Sequence, residues 1–364
     1  MSTYIPRNIL ITGGAGFIGC HFVRYLLGTD PRVRIVTLDL LTYAGSLENL
    51  QALPDPTRHT EVPGDIADHT LVAQLLREHA IDTIVHFAAE SHVDRSITGP
   101  AAFIQTNVVG TFTLLEAARV FWLHDQAWDA GTCRFHQVST DEVYGTLGPH
   151  DPRFCETTPY APNSPYAASK AAADHLTRAY AKTYGLPTVT THCSNNYGPY
   201  QHEEKFIPTI IQACLRQQPI PVYGDGSQMR DWLYVEDHCT ALDAVLRRGR
   251  VGEVYDIGGG HSCTNLDLVY RICRILADLT AEPAEKFGRL VRFVQDRPGH
   301  DWRYAIDAAK IQAELGWHPI ETIETGIRKT VAWYVAKYTQ QRQTEHGRSQ
   351  MDHKGVPGMG KDGR

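Results

Sequence analysis

A glycine-rich turn near the N-terminus constrains this chain more than any other feature. Asn8-Ile-Leu-Ile-Thr12 reads as a short buried strand, Gly13-Gly-Ala-Gly16-Phe17-Ile18-Gly19 as a turn, and His21 to Leu27 as the following helix. Arg34–Asp39 reads as a second strand and Thr83–Phe87 as a later one. That order predicts an α/β fold built on a Rossmann-like, doubly wound parallel sheet. Glycines at 13, 16 and 19 let the backbone approach a pyrophosphate, whose charge then meets the N–H groups of the helix N-terminus. Asp39, at the end of the second strand, can accept hydrogen bonds from ribose hydroxyls and would repel a 2′-phosphate. The expected cofactor is therefore NAD rather than NADP. Asp65-Ile66 either flanks the adenine or is a turn only.

The second informative tract is Ser139-Thr140-Asp141-Glu142, followed by Tyr166-Ala-Ala-Ser-Lys170. Residues at i and i+4 share a helix face, so Lys170 lies beside Tyr166. A free phenol titrates near ~10; a neighbouring ammonium lowers that value and makes Tyr166 a proton acceptor for an alcohol. Oxidation alone has no use for two further carboxyls at 141 and 142. Read locally, Thr-Asp-Glu serves equally as a helix cap or as catalytic equipment.

Composition narrows the rest. A 364-residue chain with 42% hydrophobic and 21% charged residues is globular, and a net charge of −6 argues against nucleic acid or an anionic membrane as main partner. Eight cysteines form no CxxC pair, which suits reduced thiols in the cytoplasm. Eighteen histidines show no HExxH or paired ligand spacing, so no metal is expected. No apolar run approaches membrane-spanning length, and the N-terminus enters a strand without the look of a signal peptide.

The glycine spacing with Tyr166-x-x-x-Lys170 resembles the extended short-chain dehydrogenase/reductase superfamily. Six segments are similar to its dTDP-glucose 4,6-dehydratases: 38–45, 86–96, 139–145, 193–201, 223–237 and 296–301. The resemblance runs from about Asn8 to Tyr338. It implies oxidation at C4 of a nucleotide sugar, loss of water across C5 and C6, and hydride return to C6. Tyr166 would take the 4-hydroxyl proton, Glu142 the C5 proton, Asp141 would protonate the departing 6-hydroxyl, and Thr140 would align the 4-oxygen. Cofactor contacts are expected from Gly13, Gly16, Phe17, Ile18, Gly19, Asp39, Leu40, Thr42, Asp65, Ile66, Ala88, Ala89, Ser91, Thr106, Tyr166, Lys170 and Asn196. Substrate contacts are expected from His92, Thr140, Asn195, Lys205, Phe206, Pro221, Tyr223, Arg230, Asn265, Asp296, Arg297 and His300. Arg230 suits a diphosphate or else a surface ion pair with Asp231 or Asp225, and Tyr223 stacks on a base or fills core.

The chain departs from the family pattern at Glu203, where proline is usual, at Phe206, where leucine is usual, and at His261-Ser262, where Asn-Glu is usual. Residues 1–190 are expected to bind NAD, with a return at about 231–260. Residues 191–230 and 261–339 form a smaller, interleaved unit for the nucleotide sugar, and 340–364 a disordered tail. Helices near 100–122 and 165–184 pack on the sheet; in the family they pair two copies through a four-helix bundle, so a homodimer is expected. Two alternatives stand beside the dehydratase: an epimerase or dehydratase acting on a UDP sugar, and a non-catalytic NAD-binding protein.

Overall fold

The computed structural model describes residues 3–296 and 300–352, with side chains described as far as residue 340. Arg297 and the last twelve residues lie outside the described residues. Twelve strands follow in order: β1 (Asn8–Thr12), β2 (Arg34–Asp39), β3 (His59–Pro63), β4 (Thr83–His86), β5 (Arg134–Thr140), β6 (Thr188–Cys193), β7 (Asn195–Tyr197), β8 (Ile220–Tyr223), β9 (Met229–Tyr234), β10 (Val254–Ile257), β11 (Ser262–Thr264) and β12 (Val291–Val294). Seven of them form one sheet in the order β10-β6-β5-β4-β1-β2-β3, parallel throughout. The chain winds outward from β1 in both directions, the doubly wound arrangement expected from the sequence. β4, β5 and β6 are buried along their whole length, because helices cover both faces of a parallel sheet.

The helix Phe17–Thr29 and the helix Val235–Arg248 pack on one face of this sheet. Leu75, Leu114, Trp122 and Tyr180 pack on the other. The helix Pro165–Tyr184 has local signals at both ends. Ser164 Oγ accepts from the Ala167 N–H at 3.1 Å, Pro165 opens the first turn, and Gly185 closes the last at φ +71°. The expected helix near 100–122 is a continuous run from Ala101 to Asp125, widened to π geometry over Ile104–Gly110 and Arg119–Asp125.

The remaining strands make two small sheets, β11-β9-β7 and β12-β8. The helices Phe206–Arg216, Asn265–Thr280 and Ile323–Asp352 gather a separate core around Ile211, Ile272 and Tyr334. Two features differ from the sequence reading. Ala308, Ile311, Leu315 and Trp317 join the first core, so the chain crosses back once more inside the segment read as substrate-binding. The last helix continues through Asp352, so the beginning of the expected tail is helical; polarity alone does not stop a helix whose first turns are packed.

Gly13 adopts φ +70°, and a Cβ there would lie 2.6 Å from the Ala88 backbone nitrogen. Gly13→Ala is expected to cost about 2 kcal/mol or more through left-handed strain alone, read as a lower urea midpoint for the cofactor-free protein.

Candidate active site

The carboxyl ends of the central strands open onto one cavity of about 330 Å³. Its floor follows from the turn after β1. A Cβ on Gly19 would lie 2.3 Å from the Gly13 carbonyl oxygen, so strand and helix can close up only around glycine. Gly16 precedes the helix and offers it no side-chain cap, which leaves the first N–H groups to face a ligand. Asp39 is fixed from both sides: Oδ2 accepts the Ala15 N–H at 3.0 Å and Oδ1 the Leu41 N–H at 2.8 Å. Every residue expected to contact the cofactor lines this cavity. So do Asn195 and Gln201; these two and Asn196 each have a buried amide oxygen lacking a hydrogen-bond partner among the described residues. A glycine cradle, a helix N-terminus and a fixed carboxylate at the end of β2 fit NAD.

Thr140, Asp141, Glu142, Tyr166 and Lys170 line the same cavity. β5 ends at Thr140, and the next residues turn at once into a 3₁₀ helix over Asp141–Tyr144. Thr140 Oγ1 accepts the Glu142 N–H at 3.3 Å, so the capping role and a place in the cavity coexist. The Thr140 hydroxyl sits beside the Tyr166 phenol and opposes the rise in its pKa, and it donates to Asp141 Oδ1 at 3.5 Å. Asp141 is buried, and Oδ2 has no hydrogen-bond partner among the described residues. Burial, then the charges of Glu142 and Asp231, hold its carboxyl well above the usual range. Asp141 is thereby biased toward the protonated form beside Glu142.

One expectation changes. Lys170 Nζ donates to the Val138 carbonyl at 2.8 Å. Burial and the Glu142 charge hold the Tyr166 phenol above its ordinary range, against the opposing effect of the Thr140 hydroxyl. Helical spacing brought the two residues to one wall but could not foresee this backbone acceptor for the ammonium.

The substrate candidates divide. Thr140, Asn195 and Lys205 line the cavity; His92, Phe206, Pro221, Tyr223, Arg230, Asn265, Asp296 and His300 do not. His92 caps the helix Val93–Thr98 and lies 3.7 Å from Glu204. Phe206 packs on the second core. Arg230 makes neither surface ion pair: it is buried, donates to the carbonyls of Met229 and Asp301 at 2.7 and 2.9 Å, and lies over the Tyr304 ring. Tyr223 meets His300 edge-on, and Asp296 takes the His300 ring at 2.6 Å and the Gln228 amide at 2.8 Å. These residues cluster on the smaller sheets. Glu203 pairs with Gln212 on an exposed surface, outside the cavity. Sequence reasoning missed Glu90, Ser139, Gln201 and His202, which also line it; Gln201 and His202 sit just past the Asn195-Asn196 pair, which was the available signal.

The family described as GDP-mannose 4,6 dehydratase matches residues 10–330. A dTDP-glucose 4,6-dehydratase of Xanthomonas campestris is 56% identical over 91% of this chain and 93% of its own. One of Neisseria meningitidis is 51% identical over 96% of this chain and 99% of its own. The chain belongs to the dTDP-glucose 4,6-dehydratase family. A member of this family from Streptomyces venezuelae, solved with NAD bound, superposes with a TM-score of 0.81 at 48% identity, covering 90% of this chain and 97% of that one. Among the described residues, no helix is long and apolar enough to cross a membrane.

Asp141 gives the site a pH signature. Its folded pKa lies above the unfolded value near ~3.9, so the native state keeps a proton that the unfolded chain loses, and stability falls as pH rises through that window. Asp141→Asn is expected to gain stability relative to the parent between about pH 4 and neutrality, measured as the difference in Tm at the two values.

Proposed function

We infer that this protein converts dTDP-glucose to dTDP-4-keto-6-deoxyglucose as an NAD-dependent 4,6-dehydratase. The observation that carries this reading is the meeting of two catalytic pairs in one cavity, Tyr166 with Lys170 and Asp141 with Glu142. An oxidoreductase needs only the first. A non-catalytic NAD-binding protein needs neither.

NAD held at the glycine turn and Asp39 would supply a hydride acceptor at C4 and, once reduced, a hydride donor at C6, where C5 takes back the proton removed from it. Tyr166 takes the proton from the 4-hydroxyl, while Thr140, on the same cavity wall, aligns that oxygen. The resulting ketone acidifies the proton on C5, which Glu142 removes. Asp141 gives its proton to the departing 6-hydroxyl, and water leaves. An acid held protonated by burial suits that step. Lys170 lines the same wall as Tyr166, its amine anchored to the Val138 carbonyl of β5.

The dTDP-glucose choice over a UDP sugar rests on relatives of 51% and 56% identity with that substrate in their names. For the diphosphate and base, the cluster of Tyr223, Arg230, Asn265, Asp296 and His300 on the smaller sheets is the proposed anchor, with Asn195 and Lys205 nearer the sugar. The larger sheet would hold NAD and the smaller unit the nucleotide. The eight free cysteines suit a reducing cytoplasm. A homodimer is also inferred: Ile104 and Phe112 on the long helical run are 50% and 46% exposed, an apolar face that a second copy would cover.

Incubation with dTDP-glucose should yield a product lighter by one water, without net accumulation of reduced cofactor; an isobaric product would instead indicate epimerisation. The double variant Asp141→Asn, Glu142→Gln should still reduce bound NAD on adding substrate but lose water release by about a hundredfold or more. Failure to reduce NAD in a folded, ligand-binding variant would separate these roles differently. Light scattering should give twice the mass of one chain.

A further inference from the structure

Behind the cavity wall lies a set of charges that the reaction above does not use. The His192 side chain is wholly buried between two carboxylates. Its Nδ1 lies 3.0 Å from Asp256 Oδ1, and its Nε2 lies 3.2 Å from Asp174 Oδ2. The Tyr144 hydroxyl donates to Asp256 Oδ1 at 2.9 Å and lies 2.8 Å from Nδ1. The Tyr160 hydroxyl lies 2.9 Å from Nε2 and donates to Asp174 Oδ2 at 3.4 Å. Asp174 also accepts the Ser139 hydroxyl at 2.7 Å, and Glu156 accepts the Asp256 backbone N–H.

A neutral imidazole carries one N–H and can satisfy only one of two carboxylates, turning a lone pair toward the other. The doubly protonated ring donates to both, in charge-assisted bonds. Burial opposes that charge, but the hydrogen bonds and charges of Asp174 and Asp256 outweigh it and push the His192 pKa up to about 9. The groups facing the ring are Asp174 from the long helix, Asp256 from β10, Tyr144 from the 3₁₀ turn and Tyr160 from the loop before the helix, with Glu156 and Lys170 one layer out.

Each member shares an element with a residue of the cavity. Tyr144 ends the turn that carries Asp141 and Glu142. Asp174 lies one helical turn beyond Lys170, and Ser139 precedes Thr140. We propose that His192 is a positioning residue: a buried imidazolium that ties the turn bearing the dehydrating pair to the helix bearing the oxidising pair. It also balances charge. Lys170 and His192 offset Asp174 and Asp256; with a neutral ring, one excess negative charge would be left buried behind the cavity wall. This inference rests on the roles given above to Tyr166, Lys170, Asp141 and Glu142.

The test uses the NAD-bound enzyme and dTDP-glucose. Isotope-labelled histidine NMR, with the His192 signal assigned by its absence from His192→Asn, should show both ring nitrogens protonated at neutral pH. A neutral ring there overturns the proposal. His192→Asn cannot bridge both carboxylates and should lower kcat for water release about tenfold, equivalent to about 1.4 kcal/mol in the barrier, with KM and bound NAD little changed. A folded variant with parental kcat, or a loss confined to KM, overturns it. Should that variant not fold, Tyr144→Phe keeps the ring packing and should give a smaller loss in kcat, also without a change in KM; parental kcat there overturns it equally. A parent enzyme that releases no water from dTDP-glucose would sink the functional reading instead, while the ring's protonation state would still stand or fall separately.

Discussion

Register between β5 and its neighbours is the constraint on which the site depends. Ser139 lies opposite His192 and Thr140 opposite Cys193, while Asp256 of β10 lies opposite His192 on its other side. A slip of one residue would send each side chain to the opposite face of the sheet. Thr140 would then leave the Tyr166 phenol, and Ser139 would leave Asp174. Burial on both faces opposes such a slip, because β5 carries Phe135 and Val138 into apolar cores, and His136 and Gln137 would lose their partners Thr191 and Asp174. The same packing that makes the sheet stable thus sets the candidate catalytic groups at their heights.

The cost of this arrangement is electrostatic. Asp141, Lys170, Asp174, His192 and Asp256 are all buried, and an isolated buried charge costs several kcal/mol. The protein lowers that cost in two ways. Asp141 keeps its proton and so avoids the charge. The others compensate one another through direct hydrogen bonds or, for Lys170, a backbone carbonyl as well as the field of Asp174.

What could be read from the sequence follows from how local each signal is. Strand β1, the glycine turn and the acid ending β2 are contiguous or nearly so, and the expected strands at 8–12 and 34–39 match those of the fold. Ser164, Pro165 and Gly185 mark the ends of their helix within one stretch of chain. The Asp174–His192–Asp256 set was not legible, because its members come from a helix and two strands joined only by sheet pairing. In the sequence His192 was only one of eighteen histidines without metal-ligand spacing. The return of residues 308–317 to the first core was hidden for the same reason, since its partners lie in helices far away in sequence. Lys170 was placed on the right wall by helical spacing, but its hydrogen bond depends on where β5 presents a carbonyl.

The distance between the cavity and the Tyr223–His300 cluster has a structural counterpart in the segment after His300. Trp302 donates its backbone N–H to Thr146, and the Leu147 N–H returns a bond to the Arg303 carbonyl. The Met229 N–H meets the Trp302 carbonyl, and the Tyr304 N–H meets the Met229 carbonyl. Arg230 lies over the Tyr304 ring while donating to the Asp301 carbonyl. One extended stretch therefore joins β9 of the smaller unit to the chain just beyond the Asp141–Tyr144 turn. A nucleotide sugar gripped at the far cluster and reacting over Tyr166 would be held by parts of a single hydrogen-bonded frame. Catalytic positioning is sensitive to displacements of about an ångström, and a frame that fixes the spacing between anchor and acid directly limits such displacement. The two small sheets, which looked in the sequence like a separate unit, thus belong to the same positioning problem as β5.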